Sequence, residues 1–169
     1  QKQAGDDHDV TTFTRINSYV KAEIIDGLNF QADFTYDLTN RNNEYAYIPV
    51  YAFNTWGGNI SEPYYGVSQS STYQTQTNTK IGRWTTNIFG SYEKTFNEDH
   101  NMKIMAGFTA DKEQNRYFYA RRTNLNDNDL PELNLATGTQ TVNSSASHWA
   151  TAGFFGRVNY DYKGIYLFE

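Results

Sequence analysis

Cysteine is absent from this chain of 169 residues, so neither a disulfide framework nor a thiolate metal site can form. Proline occurs three times, at Pro49, Pro63 and Pro131. Each falls in a long polar excursion and none inside a segment of strand character, as a ladder of paired strands requires. Long apolar runs are missing as well. Nothing approaches the roughly 18 residues of a membrane helix. No basic run suggests nucleic acid, and the net charge of −5 is mild. The start, Gln1-Lys2-Gln3, is no signal peptide. The end, Ile165 to Glu169, begins a strand and stops, which predicts an internal piece of something larger.

What the chain does have is aromatic residues, 17% of the total, with fourteen tyrosines. Soluble cores rarely need so many; interfacial girdles and sugar-binding surfaces use them. A mean hydropathy of −0.76 looks too polar for a membrane protein. A barrel escapes that objection, because only alternate strand residues face lipid and its loops are wet. The punctuation is asymmetric. Short turns fall at Asp26-Gly27, Asn97 to Asn101 and Lys163-Gly164, whereas two excursions, Thr39 to Ser70 and Lys112 to Ser147, far exceed ordinary loops. Tight turns on one side and long loops on the other are the layout of an outer-membrane β-barrel.

The alternation of residues predicts about six strands: Thr12–Ile24, Leu28–Leu38, Thr79–Phe96, Met102–Asp111, His148–Asp161 and Ile165 onward. In the second, Leu28, Phe30, Ala32, Phe34, Tyr36 and Leu38 share one face, and Asn29, Gln31, Asp33, Thr35 and Asp37 the other. That is about 11 residues, enough to span a bilayer when tilted. The other strands repeat the division, with Phe89, Met105 and Phe155 as exceptions on the polar side. Turns must keep paired strands in phase, since a one-residue slip flips every side chain. Three-residue loops do so, Ile25-Asp26-Gly27 pairing Ile24 with Leu28, and Tyr162-Lys163-Gly164 pairing Asp161 with Ile165 and Tyr160 with Tyr166.

The polar face gathers Arg15, Lys21, Glu23, Asp33, Asp37, Arg83, Glu93, Lys103, Asp111, Arg157 and Asp161. Alternation alone would also suit a soluble β-sandwich that binds carbohydrate. Strand length, loop asymmetry and aromatics near the short turns (Tyr92, Phe96, Tyr160, Tyr162, Tyr166) favour an all-β, antiparallel up-and-down sheet forming part of a transmembrane barrel. A passive porin or adhesin would share that architecture.

The hairpin from Gly156 through Gly164, followed by Tyr166-Leu167-Phe168-Glu169, resembles one in the SusC/RagA family of TonB-dependent outer-membrane transporters. Asp129-Leu130-Pro131-Glu132-Leu133-Asn134 is similar to a loop of that family, and so is Ser91 to Phe96, a short turn, then Met102 through Phe108. The resemblance covers most of residues 1–169. It implies a 22-stranded barrel in the bacterial outer membrane, a plug driven by TonB, and a SusD-like surface lipoprotein that lids the barrel. It also implies import of a nutrient oligosaccharide or peptide, contact with outer-membrane lipid, and no cofactor. Plug, TonB-contact segment and most of the barrel are not in this sequence, which makes it an expected fragment of one such barrel.

Candidate contact residues cluster in the first excursion: Tyr45, Tyr47, Trp56, Tyr64 and Tyr65, with Tyr51 and Phe53 nearby. Two readings are open. The rings stack on sugar or touch a lid lipoprotein, or they pack the loop against its neighbours. Asn126-Asp127-Asn128-Asp129 lacks the spacing and terminal Glu of a calcium loop and reads as a turn. His8, His100 and His148 are too scattered for a shared metal. No nucleophile elbow or carboxylate dyad emerges, so no catalytic residue is expected. The strand carboxylates share their face with Arg and Lys, which predicts charges paired across strands along a polar lumen.

Overall fold

A computed structural model describes residues 5–49, 51–52, 62–63 and 68–169. The chain is all-β. Its strands are β1 (Asp7–Ile25), β2 (Leu28–Tyr47), β3 (Tyr51–Ala52), β4 (Glu62–Pro63), β5 (Tyr73–Phe96), β6 (His100–Thr123), β7 (Gln140–Tyr162) and β8 (Tyr166–Phe168). Six of them form one sheet in the order β1-β2-β5-β6-β7-β8, each next to its neighbour along the chain once the small β3-β4 pair is set aside. That is an up-and-down meander. By contacts the chain falls into two compact units: Gln1–Phe13 with Thr39–Lys80 and Asn115–Ser147, and Thr14–Leu38 with Ile81–Gln114 and His148–Glu169.

The strands outrun the expected ones. β5 and β6 have 24 residues each, against the roughly 9–11 needed to cross a bilayer. Both excursions shrink accordingly, to residues 48–72 and 124–139. Thr39 to Tyr47, Lys112 to Thr123 and Gln140 to Ser147 are strand rather than loop. Pro63 departs from expectation too, since it lies in a two-residue strand paired with Tyr51–Ala52.

The first turn is Asp26-Gly27, one residue shorter than expected, because Ile25 stays extended at the end of β1. Phase is nevertheless kept. Arg15 pairs with Asp37, Asp9 with Arg41 and Asp7 with Asn43, always odd with odd. Gly27 has φ +80°, a left-handed backbone that suits glycine. Its carbonyl accepts from the Glu93 amide at 2.9 Å. The β5-β6 turn bends through Asn97 and Glu98, both at positive φ, the sign pattern of a type I′ hairpin turn.

At the last hairpin the expected register is off by two. Tyr162 faces Tyr166, Asp161 faces Leu167 and Tyr160 faces Phe168. Lys163 and Gly164 both take positive φ, and the Ile165 amide closes the turn on the Tyr162 carbonyl at 3.0 Å. The Asp161 carboxylate accepts from the Gly164 amide at 2.7 Å. A slip of two leaves every side chain on its expected face.

One face carries the ion pairs, the other most of the exposed apolar side chains. On the odd face Lys103 bridges to Glu93 at 3.0 Å and Arg83 to Asp111 at 3.2 Å. The Thr109 hydroxyl donates to Asn87 at 2.7 Å, and Gln31 to Asp33 of its own strand at 2.8 Å. On the even face Val20, Phe30, Phe34, Trp84, Ile88, Ile104 and Val158 are exposed, and Phe154 is 88% exposed. Among the described residues the buried apolar side chains are Ala46, Ala120, Leu125 and Ala136. A soluble sandwich buries one apolar face against a second sheet; this six-stranded sheet leaves its apolar residues outside.

Phe89 and Phe155, exceptions in the sequence, have a structural reason. Gly107 lies between them, and a Cβ there would come within 2.4 Å of Phe155 and 2.7 Å of Phe89. The two rings sit 6.5 Å apart, so they fill the space that glycine leaves on the polar face.

The short-turn end carries the expected aromatics. The His100 Nδ1 and the Tyr160 hydroxyl share a hydrogen bond of 2.6 Å. Tyr162 lies 4.9 Å from the His100 ring and stacks near Tyr166 at 6.5 Å. Lys163 ties this hairpin to the β5-β6 turn, its amide donating to the Asp99 carbonyl at 2.8 Å and its ammonium reaching the Asp99 carboxylate at 3.3 Å.

Candidate functional site

The ends of β2, β5 and β6 nearest the long loops bring together Tyr45, Tyr47, Tyr73 and Arg121. All four are odd-numbered, on the face that carries the ion pairs. Tyr47 stacks on Tyr73 with centroids 5.3 Å apart and planes 22° from parallel, and Tyr45 leans on Tyr73 at 5.9 Å. The Arg121 guanidinium carbon sits 3.7 Å from the centre of the Tyr73 ring, well inside cation–π range. The rings are half-buried. Burial, reinforced by the neighbouring Tyr73 and Tyr47, raises the Tyr45 phenol above its ordinary value, so it stays protonated and able to donate.

The Nε of Arg121 is buried without a hydrogen bond, as are the Nε of Arg122 and the Oε1 of Gln74 on the neighbouring even-numbered positions. Buried polar groups are ordinarily satisfied. A planar guanidinium on an aromatic ring, with a donor left over, suits carboxylates and the flat faces of sugars or peptides.

The neighbouring loop, residues 124–139, is pinned down. The Leu125 amide donates to the Thr72 hydroxyl at 2.9 Å and the Asn124 amide to the Thr72 carbonyl at 2.8 Å. Gln69, in a 3-10 turn over Gln69–Ser71, reaches the Leu125 carbonyl and exchanges amide hydrogen bonds with Asn128 at 3.0 and 3.2 Å. Leu125 is 1% exposed. Within this loop the Asp127 carboxylate accepts from the Asp129 amide at 2.8 Å, an Asx turn inside the Asn126 to Asp129 segment that reads as a turn.

Of the five contact residues expected from sequence, Tyr45 and Tyr47 are brought together. Trp56, Tyr64 and Tyr65 lie outside the described residues. Sequence reading missed Tyr73 and Arg121, because β5 begins at Tyr73, ahead of the expected start at Thr79, and Arg121 sits in a stretch that reads as excursion. Odd-position aromatics at Tyr117 and Tyr119 were the available signal that β6 runs on. Among the described residues no group of three His, Asp or Glu could hold a metal.

No family model matches the chain. It is similar to TonB-dependent receptor P3 of Formosa agariphila, 28% identical over 157 residues, 91% of this chain and 14% of that protein. TonB-dependent receptor P39 of the same organism is 25% identical over 159 residues, covering 90% and 14%. The chain thus spans 14% of the length of these curated relatives. Its fold superposes on the RagAB peptide transporter with a TM-score of 0.81, over 95% of this chain and 17% of that one, at 15% identity. The RagAB peptide importer in its closed-closed state gives 0.80 over 94% and 16%, also at 15% identity.

Proposed function

We propose that this chain, a SusC/RagA-like TonB-dependent receptor segment of the bacterial outer membrane, forms part of one transporter barrel and serves nutrient import. The observation that carries the reading is the division of the sheet into a face with most of the exposed apolar side chains and an opposite face with cross-strand ion pairs. A wall between lipid and a watery lumen needs that division. The kinship with TonB-dependent receptors supports it, and so does a fold like that of a protein named a peptide transporter.

On this reading the segment's part is passive. Its even face meets lipid and its odd face lines the lumen, while TonB acts through a plug carried elsewhere in the whole protein. The cargo is an oligosaccharide or peptide, delivered under a SusD-like lipoprotein lid. Tyr45, Tyr47, Tyr73 and Arg121 contact cargo or lid, joined by Trp56, Tyr64 and Tyr65 from the first excursion. No catalytic role is assigned.

The test is uptake by the full-length transporter in its native host, using labelled mixtures of peptides and oligosaccharides. Import should stop in cells without functional TonB. Tyr73→Ala with Arg121→Ala should slow initial uptake about tenfold below saturation, the scale of one lost cation–π stack. Undiminished import without TonB would contradict the importer reading. Undiminished import by the double variant would remove the cluster from it.

A further inference from the structure

Of the cations on the even-numbered face of β5 and β6 (Lys80, Lys94, Lys112, Arg116 and Arg122), none has an ion pair among the described residues, and Lys80 and Arg116 share one groove. Outward residues along β5 run from Ile88 through Trp84 to Lys80 and Asn78, and along β6 they reach Arg116 and Phe118. The register of these strands is fixed by contacts in step: Thr95 with Asn101, Glu93 with Lys103, Asn87 with Thr109, Thr85 with Asp111. It holds to the strand ends, where the Asn124 amide meets the Thr72 carbonyl. In that register Lys80 stands directly opposite Arg116.

Like charges across a strand pair repel. The carboxylates of β5 and β6 (Glu93, Asp111 and Glu113) are all odd-numbered and point the other way. The facing stretch of β7 offers Ser144, Ser145 and Ala146. Both cations are exposed, and neither has an ion pair among the described residues.

The pair lines an open groove of about 440 Å³, with Asn78, Phe118, Ser144 and Ala146 around it. Lys80 precedes Trp84 by four residues on β5, roughly 13 Å along it. Trp84 is an exposed aromatic of the kind that marks the membrane interface. Lys80, two outward positions beyond Trp84 with Gly82 between, therefore lies at headgroup depth.

We propose that Lys80 and Arg116 bind the phosphate of an outer-leaflet lipid headgroup, with Asn78 and Ser144 as further donors. The surface is continuous with lipid-facing residues along the same strand and is electropositive where lipid phosphates lie, which favours a lipid over a protein partner. The inference rests on the even face meeting lipid, and not on which cargo is carried.

The test uses the full-length transporter in phosphatidylcholine nanodiscs containing diphosphoryl lipid A or its dephosphorylated form, with bound lipid counted by native mass spectrometry. Wild type should retain the diphosphoryl lipid. Lys80→Ser with Arg116→Ser should weaken retention roughly thirtyfold, about fivefold per cation at a membrane surface. Lys80→Arg should retain it, which shows that charge and not disrupted folding is being read. Equal retention of the dephosphorylated lipid, or equal retention by wild type and the double variant, would overturn the proposal. So would inorganic phosphate binding as well as the lipid does, or loss of a co-purifying protein with lipid retention unchanged.

Discussion

Two glycines show what single residues contribute. Gly27 takes φ +80°, and a Cβ there would lie 2.2 Å from the Glu93 carbonyl oxygen. Neither the backbone angle nor the space admits a side chain. Gly27→Ala should destabilise the whole transporter by about 1–3 kcal/mol, read as a lower urea midpoint at unchanged slope for protein refolded into vesicles. Gly107 acts through packing instead, since Phe155 and Phe89 occupy its side-chain space. Gly107→Val should cost about 1–3 kcal/mol, the usual penalty of overpacking. Adding Phe155→Ala should restore part of it, because the closest clash is with that ring. Strict additivity of the two changes would contradict this packing.

Elements were legible where two different solvents act on them. Leu28 to Leu38 alternates cleanly, as the proposed placement of one face against lipid and the other against water requires, and the strand begins where expected. Beyond Leu38, β2 continues through Asn40 and Asn42, which accept hydrogen bonds from the Asn78 amide. There both faces are polar, so period-two contrast fades and an extended strand reads as loop. The same fading hid the start of β5 and the far half of β6, and Tyr73 and Arg121 with them. The register of β7 and β8 escaped for another reason. Parity fixes the face but not a slip of two, and that slip is set by the positive φ of Lys163 as well as Gly164.

The far ends of β1 and β2 should also respond to pH. Arg41 hydrogen-bonds the Asp9 carboxylate from its Nε at 3.0 Å and holds the Asp9 pKa below the ordinary carboxylate value. A lowered folded pKa means the pairing helps at pH above the unfolded value, about 3.9, and is lost as pH falls through the folded one. The Ala46 amide, which donates to the Asp6 carbonyl at 2.8 Å, should lose hydrogen-exchange protection below about pH 4. In Arg41→Gln that protection should be weaker at neutral pH and nearly insensitive to acid. Equal acid sensitivity in the variant would place the titrating group elsewhere.

For the whole molecule the decisive property is that one face carries most of the exposed apolar side chains and the opposite face carries the ion pairs. Exposed ion pairs are each worth only about 0–1 kcal/mol. They keep a polar wall satisfied and do not replace a core. On the proposed reading stability comes from lipid against the even face and from ladder closure around the whole barrel. The absence of cysteine makes this easy to test, because single cysteines introduced in this segment stand alone within it. The most direct measurement is spin labelling at each position from Leu28 to Leu38 in the full-length transporter, reconstituted in vesicles. Collisions with oxygen, which partitions into lipid, are compared with those of a water-soluble nickel chelate. Oxygen access should peak at Phe30, Ala32, Phe34 and Tyr36, and nickel access at Asn29, Gln31, Asp33, Thr35 and Asp37. Nickel access at every position, without a two-residue period, would mean that the even face never meets lipid and would contradict the account.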